Sequence, residues 1–285
     1  MDVETCPLCG SGQHRNSWLE LEFCEKVFRY RECVDCSSLF CSPMPDLETL
    51  GRMYDNEYAG EAEFEGEDKS LEKFAQVLDF VAGKEKGLFI DYGCGDGKLL
   101  VRLKELGWEV LGIDFNPEYA SALGGKGIKV IGHDQPVDVQ ADVLHLGDVL
   151  EHLTDLGTEV PKILQLLKHK GHFIAHGPLE GNRNLFYRAL KAGKAIKREP
   201  TKMPPFHVTL STTKGQKELF RQNGLQQIIF DESEISFPAP YSLSVRDLRN
   251  IRATGLFFLR KVSQAATSVG VGGGNRYFFV GRKAT

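Results

Sequence analysis

Four cysteines stand in two tight pairs near the start of the chain, Cys6-x-x-Cys9 and Cys33-x-x-Cys36. A Cys-x-x-Cys turn offers two sulfurs to one metal, and two such turns complete the tetrahedral four-thiolate shell that zinc takes. A closed shell leaves no position for water, so the expected metal is structural. A segment of about 45 residues is too short to build an adequate core alone, which gives such a metal a folding role. Cys24 and Cys41 read as buried spare thiols, and His14 as an exposed loop residue.

The second chemical signal is Leu88-Phe-Ile-Asp91-Tyr-Gly93-Cys-Gly95-Asp-Gly97-Lys98. An apolar strand runs into a glycine-rich turn and then a helix, so bare backbone can approach a nucleotide-like cofactor where Cβ atoms would block it. The dinucleotide fingerprint requires its third glycine where Lys98 stands, so NAD is the poorer fit. Cys94 reads as a small packing residue.

Histidine is the natural base at neutral pH, because its neutral imidazole can take a proton from an acceptor group. His152 follows a strand where a parallel sheet opens to ligands, and His207 lies in Pro204-Pro-Phe-His207. These two are the candidate bases; His133, His145, His172 and His176 read as structural. Between Arg183 and Lys202 seven cations face one acid, Glu199, with Lys191, Lys194 and Arg198 on one helical face. That run reads as a solvated face or as a grip for an anionic substrate.

The elements that must position these groups follow from pattern. From about Leu47 the sequence turns helical, with Leu71, Phe74, Leu78 and Val81 forming one stripe. Strands are expected over Leu88–Tyr92, Glu109–Ile113, Ile128–Ile131, Asp142–Leu146, His172–Ala175, Leu225–Phe230 and Tyr277–Val280. Helices are expected over Lys98–Leu106, Pro117–Leu123 and Glu159–Leu167. This alternation predicts an α/β fold with a parallel sheet covered on both faces.

With 285 residues, 41% of them hydrophobic and 26% charged, the chain can bury a real core and has room for an appendage. A net charge of −4 argues against wrapping nucleic acid over the whole surface. No stretch approaches the roughly 20 apolar residues of a membrane span. The opening MDVETCPLCG lacks a basic-then-apolar leader, so a cytoplasmic location is expected, where the odd set of seven cysteines stays reduced.

The acid-then-Gly-x-Gly-x-Gly run at Asp91, Gly93, Gly95 and Gly97 resembles the first motif of the class I methyltransferases. That resemblance implies a Rossmann-like sheet of seven mostly parallel strands and S-adenosylmethionine as cofactor. By the same resemblance, Asp91 anchors the turn near the methionine amino group, the glycines let backbone lie along the cofactor, and Asp114 takes the ribose hydroxyls. Phe115 would pack on the adenine face and Asp134 would meet the adenine amino group.

Asp148-Val-Leu-Glu151-His152 resembles the family's element after the fourth strand. Leu166-Leu-Lys-His169-Lys170-Gly171 resembles its Leu-Lys-Pro-Gly-Gly turn, with His169 and Lys170 departing from pattern. Tyr30-Arg-Glu-Cys33-Val-Asp-Cys36, Pro43-x-Pro45 and Tyr54-x-x-x-Tyr58 together resemble zinc-ribbon-bearing methyltransferases that act on sugars and secondary metabolites. In relatives acting on quinone precursors the Glu-His pair is linked to a divalent metal, a lesser reading for Glu151 and His152.

The expected organisation is a zinc ribbon over 1–45, a helical linker over 46–82 and the methyltransferase domain over 83–285. The expected activity is methylation of a small molecule, with a sugar hydroxyl as leading acceptor and an anionic carrier as one form of substrate. An RNA methyltransferase, against which the acidic total speaks, and a non-catalytic scaffold that keeps the fold are the alternatives.

Overall fold

The computed structural model describes residues 2–56, 74–196, 199–235, 251–270 and 273–283. In chain order the elements are β1 (His14–Phe23), β2 (Lys26–Cys33), β3 (Leu39–Cys41), α1 (Leu47–Asn56), α2 (Ala75–Ala82), β4 (Leu88–Tyr92), α3 (Lys98–Glu105), β5 (Glu109–Asp114), α4 (Pro117–Gly124) and β6 (Lys129–Gly132). They continue with β7 (Ala141–Gly147), α5 (Leu156–Ile163), β8 (Leu167–Pro178), α6 (Leu185–Ile196), β9 (Thr201–Lys202), β10 (Thr209–Leu210), α7 (Thr213–Gln222), β11 (Leu225–Ser233), α8 (Ile251–Ser268) and β12 (Arg276–Lys283).

Contacts divide the chain into two units, one of residues 1–45, 178–219 and 231–277, the other of 46–177, 220–230 and 278–285. Residues 178–219 and 231–277, from the second half of the chain, group with residues 1–45. Leu71 and Tyr58, named in the helical stripe and the tyrosine pair, lie outside the described residues.

The second unit is built on a seven-stranded sheet ordered β11-β12-β8-β7-β4-β5-β6. The pairings β5–β6, β4–β5, β4–β7 and β7–β8 are all parallel. β4 is buried at Phe89, Ile90, Asp91 and Tyr92, as expected of an apolar central strand covered on both faces. Val77 and Val81 of α2, Leu99, Leu100 and Leu103 of α3, and Phe89, Trp108, Val143 and Ile174 form one buried cluster. Phe220 and Phe279 stack at 4.0 Å between ring centroids.

Two predicted bounds shift for local reasons. α5 starts at Leu156, ahead of the expected Glu159, because Asp155 caps it by accepting from the Thr158 N–H at 3.1 Å. β8 absorbs the turn expected around His169 and Lys170. Between the register pairs Ala141↔Leu167 and Val143↔His172 it carries extra residues, with Lys170 at φ 67°. The departure from the family's glycine turn is thus a bulge inside a longer strand.

The first unit holds a five-stranded sheet ordered β10-β3-β2-β1-β9. β1 and β2 form a hairpin whose turn residues, Cys24 and Glu25, both have positive φ, as the right-handed twist of a tight hairpin demands. Cys24, expected to be buried, is therefore half-exposed at the turn; Cys41 is buried, and burial pushes its thiol up to about 12. Leu21, Phe28, Tyr30, Leu39, Tyr187 and Val208 make the core of this unit.

Thr212 ties the start of α7 to the cysteine segment. Its hydroxyl donates to the Cys36 carbonyl at 2.6 Å and accepts from the Gly215 N–H at 3.1 Å, while its own N–H donates to Ser38 Oγ at 3.0 Å. A Cβ on Gly215 would strike Ser38 and press Leu8 at 3.1 Å, so the helix start fits only as glycine there.

The basic run is less uniform than its sequence suggests. Arg183 pairs with Glu32, a buried β2 residue that also accepts from Arg15 Nη2 at 3.0 Å. Burial alone would raise the Glu32 carboxyl, but the two guanidinium groups outweigh it and hold it below its ordinary value. Lys197 and Arg198 lie outside the described residues.

Candidate functional site

Two arrangements in the chain have the geometry of sites. In the first unit, the sulfurs of Cys6, Cys9, Cys33 and Cys36 all lie within 4.8 Å of one another, with Cys6–Cys36 at 3.7 Å and Cys9–Cys33 at 3.5 Å. Sulfurs at the corners of a tetrahedron around zinc stand roughly 3.8 Å apart, given the Zn–S bond of about 2.3 Å. The two turns repeat one design. The Gly10 N–H donates to the Cys6 carbonyl and the Ser37 N–H to the Cys33 carbonyl, with φ of 74° and 63° at Gly10 and Ser37.

Thiols this close cannot all ionise without a cation among them. The Cys6 hydrogen bond lowers Cys36 to about 5, while burial pushes Cys9 up to about 12. His14, with its ring edge against Phe40 at 5.7 Å, is not part of the cluster. The four cysteines fit a metal ion.

In the second unit, the turn between β4 and α3 carries Gly93, Gly95 and Gly97 at φ of 79°, 50° and 68°. Their surroundings differ. A Cβ on Gly93 would strike Val149 and one on Gly97 would strike Leu123, so those two are fixed by packing. Among the described residues no heavy atom lies within 4 Å of the would-be Cβ of Gly95, which opens on space they leave free. A turn bare of side chains beside open space is the shape needed to receive an adenosyl cofactor.

Asp114, at the end of β5, faces this turn. Its Oδ2 accepts from the Gly95 N–H at 2.8 Å and its Oδ1 from the Asn116 N–H at 2.9 Å. Each oxygen keeps a second lone pair, so a vicinal diol can still be held. Phe115 is exposed and stacks on His133, with centroids 3.8 Å apart. His133, read from sequence as structural, thus covers one face of the ring expected to meet adenine. Asp134 is exposed in the turn after β6, with its carboxylate against Gly132.

Asp91 is 3% exposed and bonds His145 Nδ1 at 2.7 Å. The two are register partners on the adjacent strands β4 and β7, which puts their side chains on one face. A carboxylate acceptor requires the proton on Nδ1, and the buried His145 Nε2 has no hydrogen-bond partner among the described residues. His145 is therefore the residue that orients Asp91, a link invisible in sequence because it depends on strand register.

The two candidate bases sit differently. His152 ends a short turn, Leu150–His152, with its Nε2 3.9 Å from Glu151 Oε1. His207, in the first unit, bonds Glu180 Oε2 through Nδ1 at 2.7 Å, while its carbonyl accepts from the Tyr30 hydroxyl at 2.7 Å. The carboxylate favours the tautomer with the proton on Nδ1, in which Nε2 is the acceptor nitrogen. Sequence reading missed Glu180; its only signal was an acid two residues beyond the end of a strand.

The family description "Methyltransferase domain" matches residues 67–228, more than half of the chain. A solved S-adenosylmethionine-dependent methyltransferase from Archaeoglobus fulgidus is similar at 18% identity and a TM-score of 0.50, covering 80% of this chain and 100% of that one. A complex between the Haloferax volcanii Trm112 methyltransferase activator and a methyltransferase partner is similar at 16% identity and a TM-score of 0.50, covering 76% and 93%. No curated protein matches the sequence. From the family match, on a seven-stranded Rossmann-like sheet that brings a bare glycine turn before an acidic strand end, the chain belongs to the methyltransferase-domain family and is a methyltransferase.

Proposed function

We propose that this enzyme methylates a hydroxyl group of a small molecule, with a sugar or related metabolite as acceptor and an anionic carrier as one form of it. The observation that carries this reading is the His207–Glu180 pair: an imidazole held in the tautomer that accepts at Nε2 suits an acceptor that must lose a proton. The cofactor, S-adenosylmethionine, supplies a methyl group already activated on a sulfonium, so the chain's tasks are alignment, exclusion of water and proton removal.

In this reading Gly93, Gly95 and Gly97 provide the backbone that lies along the cofactor. Asp91, held by His145, sets the turn near the methionine amino group, and Asp114 takes the ribose hydroxyls. Phe115 and Asp134 serve the adenine. His207 Nε2 takes the proton of the acceptor hydroxyl, and the Glu180 carboxylate steadies the imidazolium that forms. His152 is the second candidate for the same task. Cys6, Cys9, Cys33 and Cys36 hold a structural zinc.

Incubating the enzyme with methyl-labelled cofactor and fractionated cell extract, followed by mass analysis of the labelled product, tests the acceptor class. Label on RNA, or on no molecule at all, would remove the proposal. His207→Ala is expected to lower kcat/KM by about 10²-fold or more while leaving S-adenosylhomocysteine binding unchanged. Glu180→Gln is expected to lose less and to shift the acid limb of the pH–rate profile, because the imidazolium loses its stabilising carboxylate. If His152→Ala shows these effects and His207→Ala does not, the base assignment passes to His152.

A further inference from the structure

The helices α6 and α8 pack together within the first unit and carry a feature that neither the cysteine cage nor the glycine turn uses. Neither helix contains an aspartate or glutamate. Among the described side chains α6 brings the exposed cations Arg188 and Lys191 and α8 brings Lys261, so the pair is positive on a chain of net charge −4.

One face of α8 is firmly held. Arg260 pairs with buried Glu234 at 2.9 Å and lies over the Phe186 ring of α6 at 3.5 Å, and Ser263 beside it is buried. The other face is apolar and exposed: Phe258 and Val262 are 57% and 56% exposed and recur with Ala265 at helical spacing, and Val269, 74% exposed in the turn just after the helix, continues that spacing. Residues 188–193 of α6 are also exposed, including Leu190 at 44%. Water gives no reason to display such a stripe on a helix anchored by a buried ion pair.

We propose that this face docks on an anionic lipid bilayer. Phe258, Val262 and Val269 enter the boundary between headgroups and acyl chains, while Arg188, Lys191 and Lys261 meet lipid phosphates. An apolar stripe flanked by cations and free of acids is the composition of a helix that lies in a membrane interface. Charge sets the lipid apart from other occupants. A second copy would bring the same cations against these, and RNA would find one exposed ring, Phe258, among aliphatic side chains where successive bases need successive aromatic platforms.

The test is sedimentation of the full chain with vesicles of phosphatidylglycerol and phosphatidylcholine in equal parts, and with vesicles of phosphatidylcholine alone. Binding is expected to the first and not the second, and to weaken as salt rises. Phe258→Ser with Val262→Ser is expected to weaken partitioning roughly tenfold through lost apolar burial. Lys191→Glu with Lys261→Glu is expected to weaken it by at least about tenfold and to flatten the salt dependence. Unchanged S-adenosylhomocysteine binding and thermal unfolding show that each variant is folded.

The proposal is overturned by no binding to either vesicle, equal binding to both, or undiminished binding by the two folded variants. It is equally overturned if the serine variant changes only the oligomeric state, or if the chain shifts bulk RNA but not vesicles.

Discussion

Cys36→Ser is expected to empty the four-cysteine cage and unfold the segments that rest on it. Elemental analysis of the purified chain should fall from about one zinc per chain toward none, because three thiolates and a hydroxyl bind this metal far less tightly. The energetic reach is large, since a structural zinc contributes roughly 10 kcal/mol or more of apparent binding free energy that is also folding free energy. Cys36 is joined to the rest of the first unit at short range: its carbonyl accepts from Thr212, and its sulfur lies beneath Gly215. Loss of the cage should therefore expose residues 178–219 to protease along with the cysteine segment. Cys24→Ser, in the hairpin turn and outside the cluster, is the control that should keep the metal. A Cys36→Ser chain that retains full zinc and full protease resistance would show that the four sulfurs are only packed thiols.

The parts of this molecule that sequence reveals are those whose cause is local. β4, the glycine turn and α3 were legible because an apolar run, residues that permit positive φ and a helical stripe follow each other without interruption. The four-cysteine cluster was legible because each Cys-x-x-Cys turn is complete in a few residues. What escaped depends on partners far apart in the chain. The pairing of β9 and β10 with β1 and β3 rests on strands of two residues each, too short to leave a periodic signal. Glu180 gains its meaning only from His207, and His145 only from its register against Asp91. In the basic run the partner of Arg183 was equally hidden, since the acid that meets it comes from β2, some 150 positions away.

Gly95→Leu is expected to abolish cofactor binding while leaving the fold nearly intact, and the reason is the difference among the three turn glycines. All three have positive φ, so a side chain at any of them costs about 1–2 kcal/mol of backbone strain. At Gly97 a side chain also strikes Leu123, a buried core residue, so Gly97→Leu should lower thermal stability well beyond the strain. At Gly95 no described residue stands within 4 Å of an added Cβ, so the leucine is expected to extend into open space. If that space receives the cofactor, the leucine occupies it. Calorimetry should show S-adenosylhomocysteine affinity reduced by at least about 10²-fold, equivalent to roughly 2.7 kcal/mol. The melting temperature should fall by no more than the strain implies. Asp114→Ala separates the remaining contribution: it removes the acceptor for the Gly95 N–H and the proposed ribose contact together, and should also weaken binding. A Gly95→Leu enzyme that binds S-adenosylhomocysteine with native affinity would mean that the hollow beside the turn is not where the adenosyl group rests, and the roles given to Asp114 and Phe115 would fall with it.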